Sequence, residues 1–162
     1  MNKQKGFTLV ELLVTLVIMA LLVSVAIPGF QGMLARNNLA TSANAVLIAS
    51  NLARGEAVRV GGGTSLVALP ATPVNAANDW GGGWQVLDSD ATLLRQFGAP
   101  SGVLTLDSPT GVTTVQFTAR GALTGGAPVV LNLCEPGVGG VAVTISAVGR
   151  ASTANLTAAG CP

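Results

Sequence analysis

The chain begins with a basic leader that continues into one long apolar run. Lys3 and Lys5 precede Gly6, and positions 12–35 form 24 residues without an ionisable side chain. A helix of about 20 apolar residues is long enough to cross a bilayer. The one carboxylate near its start, Glu11, would cost roughly 2.5 kcal/mol or more if it were buried alone in lipid. The pattern therefore predicts a membrane-spanning helix whose acid has a partner and a function.

Two simpler interpretations of this segment are a cleaved signal peptide and an ordinary single-pass anchor. A signal peptide has an apolar core of about 7–15 residues, followed by a cleavage site of small residues. The run here is longer, and no Ala-x-Ala pattern follows it. An anchor accounts for the length and for the basic leader, because Lys3 and Lys5 would hold the N-terminus in the cytoplasm. It does not account for Glu11.

The helical pattern continues well beyond the apolar run. We expect one helix over residues 7–60, with its transmembrane part at about 7–30 and a kink or local melting at Pro28, because proline removes an internal hydrogen bond. Gly55, which costs about 1 kcal/mol relative to alanine, marks a weak point. Beyond Pro28, apolar positions three, four or seven apart form one stripe that is expected to pack on a sheet. The stripe consists of Leu39, Ala43, Val46, Ala53, Ala57 and Val60.

Residues 61–162 have the pattern of a small β-rich domain. The three glycines at 61–63 end the helix, and they lack the Gly-Lys-Ser/Thr ending of a phosphate-binding loop. Short β-type runs separated by turn residues follow, which predicts antiparallel strands and an α+β fold. We expect a flexible loop at 70–78 and a hairpin turn at 137–140. The predicted strands are 64–69, 84–88, 103–106, 112–118, 129–134 and 141–148.

Composition removes several classes of function. The chain has no histidine, and no nucleophile stands beside a base, so we assign no catalytic residue, no metal site and no cofactor. Asp88 and Asp90 form the nearest approach to a carboxylate pair, and we favour a solvated turn over catalysis or a calcium site. Trp80 and Trp84 are expected in the core, with Trp84 the better candidate, although exposed aromatics can also stack on bases.

Cys134 and Cys161 are the two cysteines of the chain. If the leader stays in the cytoplasm, everything beyond the membrane segment lies outside it, where disulfides persist. A bridge between them is therefore the favoured interpretation, with two free buried thiols as the alternative. Two cysteines without a histidine leave a tetrahedral metal site short of ligands.

The sequence Gly-Phe-Thr-Leu-Val-Glu at the start of the apolar run resembles the class III signal of type IV pilins and type II secretion pseudopilins. The resemblance implies that a prepilin peptidase cuts between Gly6 and Phe7 and methylates the new amine of Phe7, so that residues 1–6 are a leader peptide and the apolar helix is retained. Glu11 would then pair with the Phe7 amine of a neighbouring subunit and set the register between them. Pro28 matches the proline that interrupts pilin helices.

Three further segments resemble the GspH/FimT family of minor pilins and pseudopilins. These are the Trp-x-x-Gly-Trp stretch within 79–88, the Phe-x-x-x-Gly strand end at 117–121 and the helix segment at 52–58. The resemblance implies a type IV pilin-like fold, a long kinked helix packed on antiparallel sheets, in a non-enzymatic subunit. Such a subunit spans the inner membrane once, with its C-terminal domain in the periplasm, and then joins other pilins in a pilus or a type II secretion pseudopilus.

The tail provides a weak indication of DNA binding. FimT-type members that bind DNA for natural transformation carry a Gly-Arg-x-Arg element near the C-terminus. Gly149 and Arg150 match its first half, and Ser152 replaces its second arginine, which removes one phosphate contact. Without Lys3 and Lys5 the chain has six basic and seven acidic side chains, a net charge of −1, so clustered positive charge is not evident. DNA uptake is thus an alternative to a purely structural role, and Arg95 and Arg120 are possible additional contacts.

Overall fold

The computed structural model describes residues 7–71 and 79–161. Its first element, helix α1, spans Leu9–Val60 and has 52 residues. The helix is continuous through Pro28 and through Gly55. The expected local melting at Pro28 was therefore wrong, and the expected kink at Pro28 stays a prediction. The helix ends as predicted at the three glycines, because all of them have positive φ, which side chains rarely tolerate.

The chain divides into two compact units, which are residues 1–34 and residues 35–162. The second unit contains the C-terminal part of α1 and eight strands in two four-stranded antiparallel sheets. The first sheet has the order β3-β2-β1-β5 and the second has the order β4-β6-β7-β8. The strands are β1 (Ser65–Ala68), β2 (Trp84–Leu87), β3 (Leu93–Phe97), β4 (Thr105–Asp107), β5 (Thr114–Gln116), β6 (Val129–Glu135), β7 (Gly139–Ile145) and β8 (Ala151–Leu156), followed by a 3₁₀ turn at Ala158–Gly160.

All six predicted strands are present with somewhat different bounds, but β3 and β8 were missed. Most of their side chains are exposed, so they lack the alternation of apolar and polar residues that a half-buried strand shows. The hairpin turn predicted at 137–140 is shifted: Val138 N–H donates to the Glu135 carbonyl at 3.1 Å, and Gly139 and Gly140 already belong to β7. The predicted loop at 70–78 lies mostly outside the described residues.

The core forms between α1 and the two sheets. Five of the six predicted stripe residues are buried, from Leu39 to Ala57, whereas Val60 is 46% exposed because the helix ends there. Ala49 and Ser50 are also buried and fill the gap that the predicted stripe left between Val46 and Ala53. The largest fully buried side chains beyond α1 are Trp80, Trp84, Phe117, Leu66, Leu106, Leu131, Leu133 and Ile145.

Both tryptophans belong to this core, which excludes base stacking as their role. Trp80 is 0% exposed and donates its indole N–H to the Val112 carbonyl at 2.9 Å. Trp84 is 1% exposed and stacks on Phe97 with ring centroids 5.9 Å apart. Gly83 between them has φ +102°, and a side chain there would collide with the Phe97 carbonyl. The glycines of this segment thus allow the backbone to pass closely between two buried indoles.

The acidic pair at Asp88 and Asp90 forms a turn, as expected. One carboxylate oxygen of Asp88 accepts hydrogen bonds from the backbone N–H groups of Asp90 at 2.9 Å and Thr92 at 2.8 Å. This arrangement is how aspartate stabilises a turn between strands. Within 7–71 and 79–161, no group of three or more histidine, cysteine or acidic side chains is arranged to hold a metal ion.

Candidate assembly site

The first turn of α1 carries the acid that the sequence singled out. The Thr8 hydroxyl accepts a hydrogen bond from the Glu11 backbone N–H at 3.2 Å, so Thr8 caps the helix. The Thr-x-x-Glu spacing is that of a capping box, a signal that the sequence interpretation overlooked. The side-chain carboxylate of Glu11 has no hydrogen bond or ion pair with any residue that the structure describes. Glu11 is exposed and lies one helical turn from Phe7. The other residue of the predicted cleavage site, Gly6, lies outside the described residues.

The apolar segment of α1 presents its side chains outward. Large apolar residues from Phe7, at 81%, to Leu34, at 45%, are exposed, and the most apolar part of the helix has no buried residue. Its hydroxyl groups are satisfied internally: Thr15 donates to the Leu12 carbonyl at 2.8 Å and Ser24 to the Leu21 carbonyl at 2.7 Å. By length and composition, this helix can cross a membrane. Such a surface requires lipid or other apolar helices around it.

The cysteines form one disulfide, so the alternative of two free thiols was wrong. Cys134 is on β6 and Cys161 follows the 3₁₀ turn, 27 positions later. Gly140 pairs with Cys134 from the neighbouring strand β7. A Cβ atom at Gly140 would be 2.6 Å from the Cys161 sulfur, so the absence of a side chain makes room for the bridge. The disulfide fastens the C-terminal end of the chain to the centre of the second sheet.

Gly149 and Arg150 lie in the tight turn between β7 and β8. Gly149 N–H donates to the Ser146 carbonyl at 2.7 Å, and Arg150 N–H donates to the Ser146 hydroxyl at 3.1 Å. Gly149 has φ +77°, and its backbone lies against the Gly121 carbonyl, where a side chain would not fit. The turn of Arg150 is therefore packed against the turn that contains Gly121.

This packing brings together arginines that are far apart in sequence. A Cβ atom at Gly121 would be 2.9 Å from Nε of Arg54, so the stem of Arg54 lies beneath this turn. Arg120 precedes Gly121 directly, so its backbone belongs to the turn on which the turn of Arg150 packs. Among the described residues, none of Arg54, Arg120 and Arg150 forms an ion pair. Sequence reasoning had considered Arg120 but missed Arg54.

Three other charged groups have contacts of their own. Arg95 lies on β3 with its guanidinium over the ring of Phe97, 4.9 Å from the centroid. Arg59 pairs with Glu56 at 2.6 Å on the exposed face of α1. Burial, together with the nearby Asp79 carboxylate, raises the pKa of Asp107. That carboxyl group therefore keeps its proton to a higher pH than a solvated aspartate does.

An apolar helix that continues into an α+β domain, with an acid in its first turn that has no partner among the described residues, is the arrangement of a pilin-like filament subunit. Comparison with known proteins agrees. Residues 42–149 match the family model described as type II transport protein GspH, and residues 1–27 match the prokaryotic N-terminal methylation motif. The chain belongs to the GspH family of minor pilins and pseudopilins. Proteins of this family are structural subunits.

Two solved structures are similar to about three quarters of this chain. Both are crystal structures of the type IV minor pilin FimU of Pseudomonas aeruginosa, in space groups P21 and P65. The first is 27% identical, with a TM-score of 0.60, and the match covers 78% of this chain and 94% of the FimU chain. The second is 26% identical, with a TM-score of 0.58, and covers 76% and 97%. The predicted type IV pilin-like fold, one long helix on antiparallel sheets, is thereby confirmed.

Proposed function

We propose that this chain is a minor pilin that is incorporated into a type IV pilus and supports the assembly or initiation of that pilus through α1. The observation that carries the proposal is the Glu11 carboxylate, which has no partner in the described part of the chain and lies at the start of a helix whose apolar side chains are exposed. The same helix has two environments in this proposal. It spans the inner membrane before assembly, with residues 61–162 in the periplasm, and it packs among neighbouring helices afterwards.

Cleavage between Gly6 and Phe7 supplies the partner for Glu11. The cut creates an ammonium group at Phe7 and removes Lys3 and Lys5. A carboxylate and an ammonium that meet in an apolar environment stabilise each other strongly, because little water screens them. Pairing Glu11 with the Phe7 amine of the next subunit neutralises both charges. It also aligns the two helices, because other axial offsets leave both charges unpaired.

Processing of the N-terminus provides the first test. In cells that contain a prepilin peptidase, the mature chain is expected to begin at Phe7 and to carry the mass of one added methyl group. Replacing Gly6 with valine is expected to abolish cleavage, and the subunit should then remain in the membrane fraction and be absent from sheared pili. The measurements are intact-mass spectrometry and immunoblots of both fractions. An unprocessed wild-type chain in purified pili would contradict the proposal.

Type II secretion is a second candidate, favoured by the description of the matching family model. The similarity to FimU favours the pilus. The two roles differ in their partners. A role in type II secretion predicts genes for secretion components beside the gene of this protein, whereas a role in the pilus predicts genes for minor pilins there.

DNA uptake is a third candidate, and the packing of the arginine-bearing turns favours it. Arg54, Arg120 and Arg150 are free of acidic partners within the described residues, so they are available to phosphates. If duplex DNA binds there, replacing Arg150 with alanine is expected to weaken binding and to reduce the salt slope of log K by about 0.9, the contribution of one phosphate contact. Gel shifts of the full-length protein in detergent, at several salt concentrations, measure both quantities.

Arg95 provides the matched control for this experiment. The sequence suggested Arg95 as an additional contact, but it lies on β3 with its guanidinium over Phe97, and no contact joins it to the turns of Arg120 and Arg150 among the described residues. Replacing Arg95 with alanine is expected to leave the gel shift unchanged. If the wild-type protein gives no shift at low salt, the DNA candidate is eliminated and the filament role is unaffected.

A further inference from the structure

Arg36 is the first ionisable side chain after the apolar run at positions 12–35. The 24 residues of that run extend about 36 Å along a helix, which exceeds the roughly 30 Å thickness of a bilayer's hydrocarbon core. In the proposed membrane-spanning arrangement of α1, Arg36 therefore leaves the hydrocarbon at the level of the lipid headgroups. An arginine at that level is attracted to the phosphate groups of anionic lipids.

A cleft of about 350 Å³ opens beside Arg36, between α1 and strands β7 and β8. Arg36 and Leu39 line it from α1, and Val141 and Asn155 line it from the second sheet. Its volume lies within the range of about 300–1,000 Å³ that is typical of sites for small ligands. Arg36 is the only ionisable residue of the lining, so the cleft carries a positive charge.

The polar side chains of this cleft are free to bind a ligand. Arg36 is exposed, and within the described residues its guanidinium makes no hydrogen bond, ion pair or ring contact. The Asn155 side chain is also exposed and has no hydrogen bond there. A guanidinium presents its N–H donors in a fixed fork that matches phosphate oxygens, and an amide adds further donors. Glu135, which is in the turn before β7, does not line the cleft.

The two ends of β7 lie at different levels along α1. The turn before β7 contains Val138, which lines the cleft together with Arg36. The turn after β7 contains Gly149, where a Cβ atom would be 3.3 Å from Cδ of Arg54. Arg54 is 18 positions after Arg36, about 27 Å along a helix. Val138 and Val148 are thus exposed valines at opposite ends of the domain, 39% and 61% exposed.

We propose that the cleft beside Arg36 binds the phosphate headgroup of an anionic phospholipid, so that this end of the C-terminal domain rests on the membrane before assembly. Arg36 and Asn155 bind the phosphate oxygens, and the apolar lining contacts the glycerol part of the lipid. The cleft begins directly after the apolar run, which favours a lipid over a soluble anion or an acidic protein. The inference rests on the proposed membrane-spanning role of α1 and adds a defined lipid contact to it.

The membrane depth of three exposed valines tests this contact. A coumarin amino acid replaces Val138, Val148 or Val25 in the full-length protein, which is reconstituted into vesicles of phosphatidylglycerol and phosphatidylcholine. Val25 lies within the apolar run and is 77% exposed. Lipids that carry a nitroxide quench a label at the depth of the nitroxide. We expect a headgroup nitroxide to quench position 138 and to leave position 148 unquenched, and an acyl-chain nitroxide to quench position 25.

Position 25 distinguishes this inference from the proposed function. If position 25 is quenched and position 138 is not, the lipid contact is wrong and the membrane role of α1 stands. If position 25 is not quenched, both are wrong. Equal quenching at 138 and 148 also overturns the inference. A change at 138 that follows the density of the protein instead of the nitroxide content would identify a second copy of the chain as the occupant, which overturns it as well.

Removal of the guanidinium tests the phosphate contact itself. Arg36→Gln is expected to weaken the binding of phosphatidylglycerol to the full-length protein in detergent about fivefold, the effect of one arginine near an anionic lipid surface. Lipid titrations followed by native mass spectrometry measure this affinity, and Arg36→Lys should restore most of it. Arg95→Gln is the matched control, because Arg95 lies on β3 and does not line the cleft. Equal affinity of the wild type and Arg36→Gln would show that the proposal is wrong.

Discussion

Replacing Glu11 with alanine is expected to reduce incorporation of the subunit into filaments on the order of 50-fold. The variant leaves the Phe7 ammonium of the neighbouring subunit without a counter-charge in an apolar environment. An unpaired charge there costs roughly 2.5 kcal/mol or more, and about 1.4 kcal/mol corresponds to a factor of ten. The ratio of this subunit in sheared pili to that in the membrane, measured by quantitative immunoblot, gives the effect directly.

Two controls separate charge pairing from helix capping. Glu56→Ala also removes an acid from α1, but Glu56 pairs with Arg59 far from the apolar segment, so incorporation should be unchanged. Thr8→Val removes the hydroxyl that caps the first turn, which costs about 1 kcal/mol of helix stability but keeps the carboxylate. We expect this variant to be incorporated. Wild-type incorporation of Glu11→Ala would show that the proposed pair is not needed.

Removing the disulfide is expected to lower the free energy of unfolding of the C-terminal domain by about 3–4 kcal/mol. The double variant Cys134→Ala and Cys161→Ala opens a loop closed by residues 27 positions apart, and the unfolded chain regains that loop's entropy. Denaturant unfolding of the full-length protein in detergent, followed by tryptophan fluorescence, measures the loss. Trp80 and Trp84 are both buried and therefore report on the core.

Reduction of the wild type provides the internal comparison. A thiol reductant should lower its stability to a value near that of the double variant and should leave the double variant unchanged. A loss below about 1 kcal/mol would mean that packing of the C-terminal segment, including the contacts beside Gly140, holds the domain without the bridge.

The elements with a strong local pattern were predictable. The apolar run, the basic leader and the first-turn acid act through local chemistry, and the helix was placed within two residues of its observed bounds. The buried stripe from Leu39 to Ala57 followed from helical spacing alone. Val60 was assigned wrongly to the core, because the spacing of apolar residues along a helix does not show at which residue the helix ceases to pack on a sheet. The reverse error concerned Ala49 and Ser50, whose small or polar side chains give little hydrophobic signal although both are buried.

The two strands that the sequence missed, β3 and β8, are both at sheet edges. β3 and β8 are held by backbone hydrogen bonds to one neighbour, while their side chains are mostly exposed. A hydrophobic pattern reports burial and carries little information about backbone pairing.

By itself, the sequence determined that this protein carries an apolar helix with an acid near its start, and that an α+β domain with two cysteines follows it. These properties depend on residue type and short-range spacing. Only the tertiary structure decided that the turns of Arg120 and Arg150 meet over Arg54 and that Gly140 makes room for the disulfide. Each of these depends on contacts between segments distant along the chain, which are set by sheet order and backbone register.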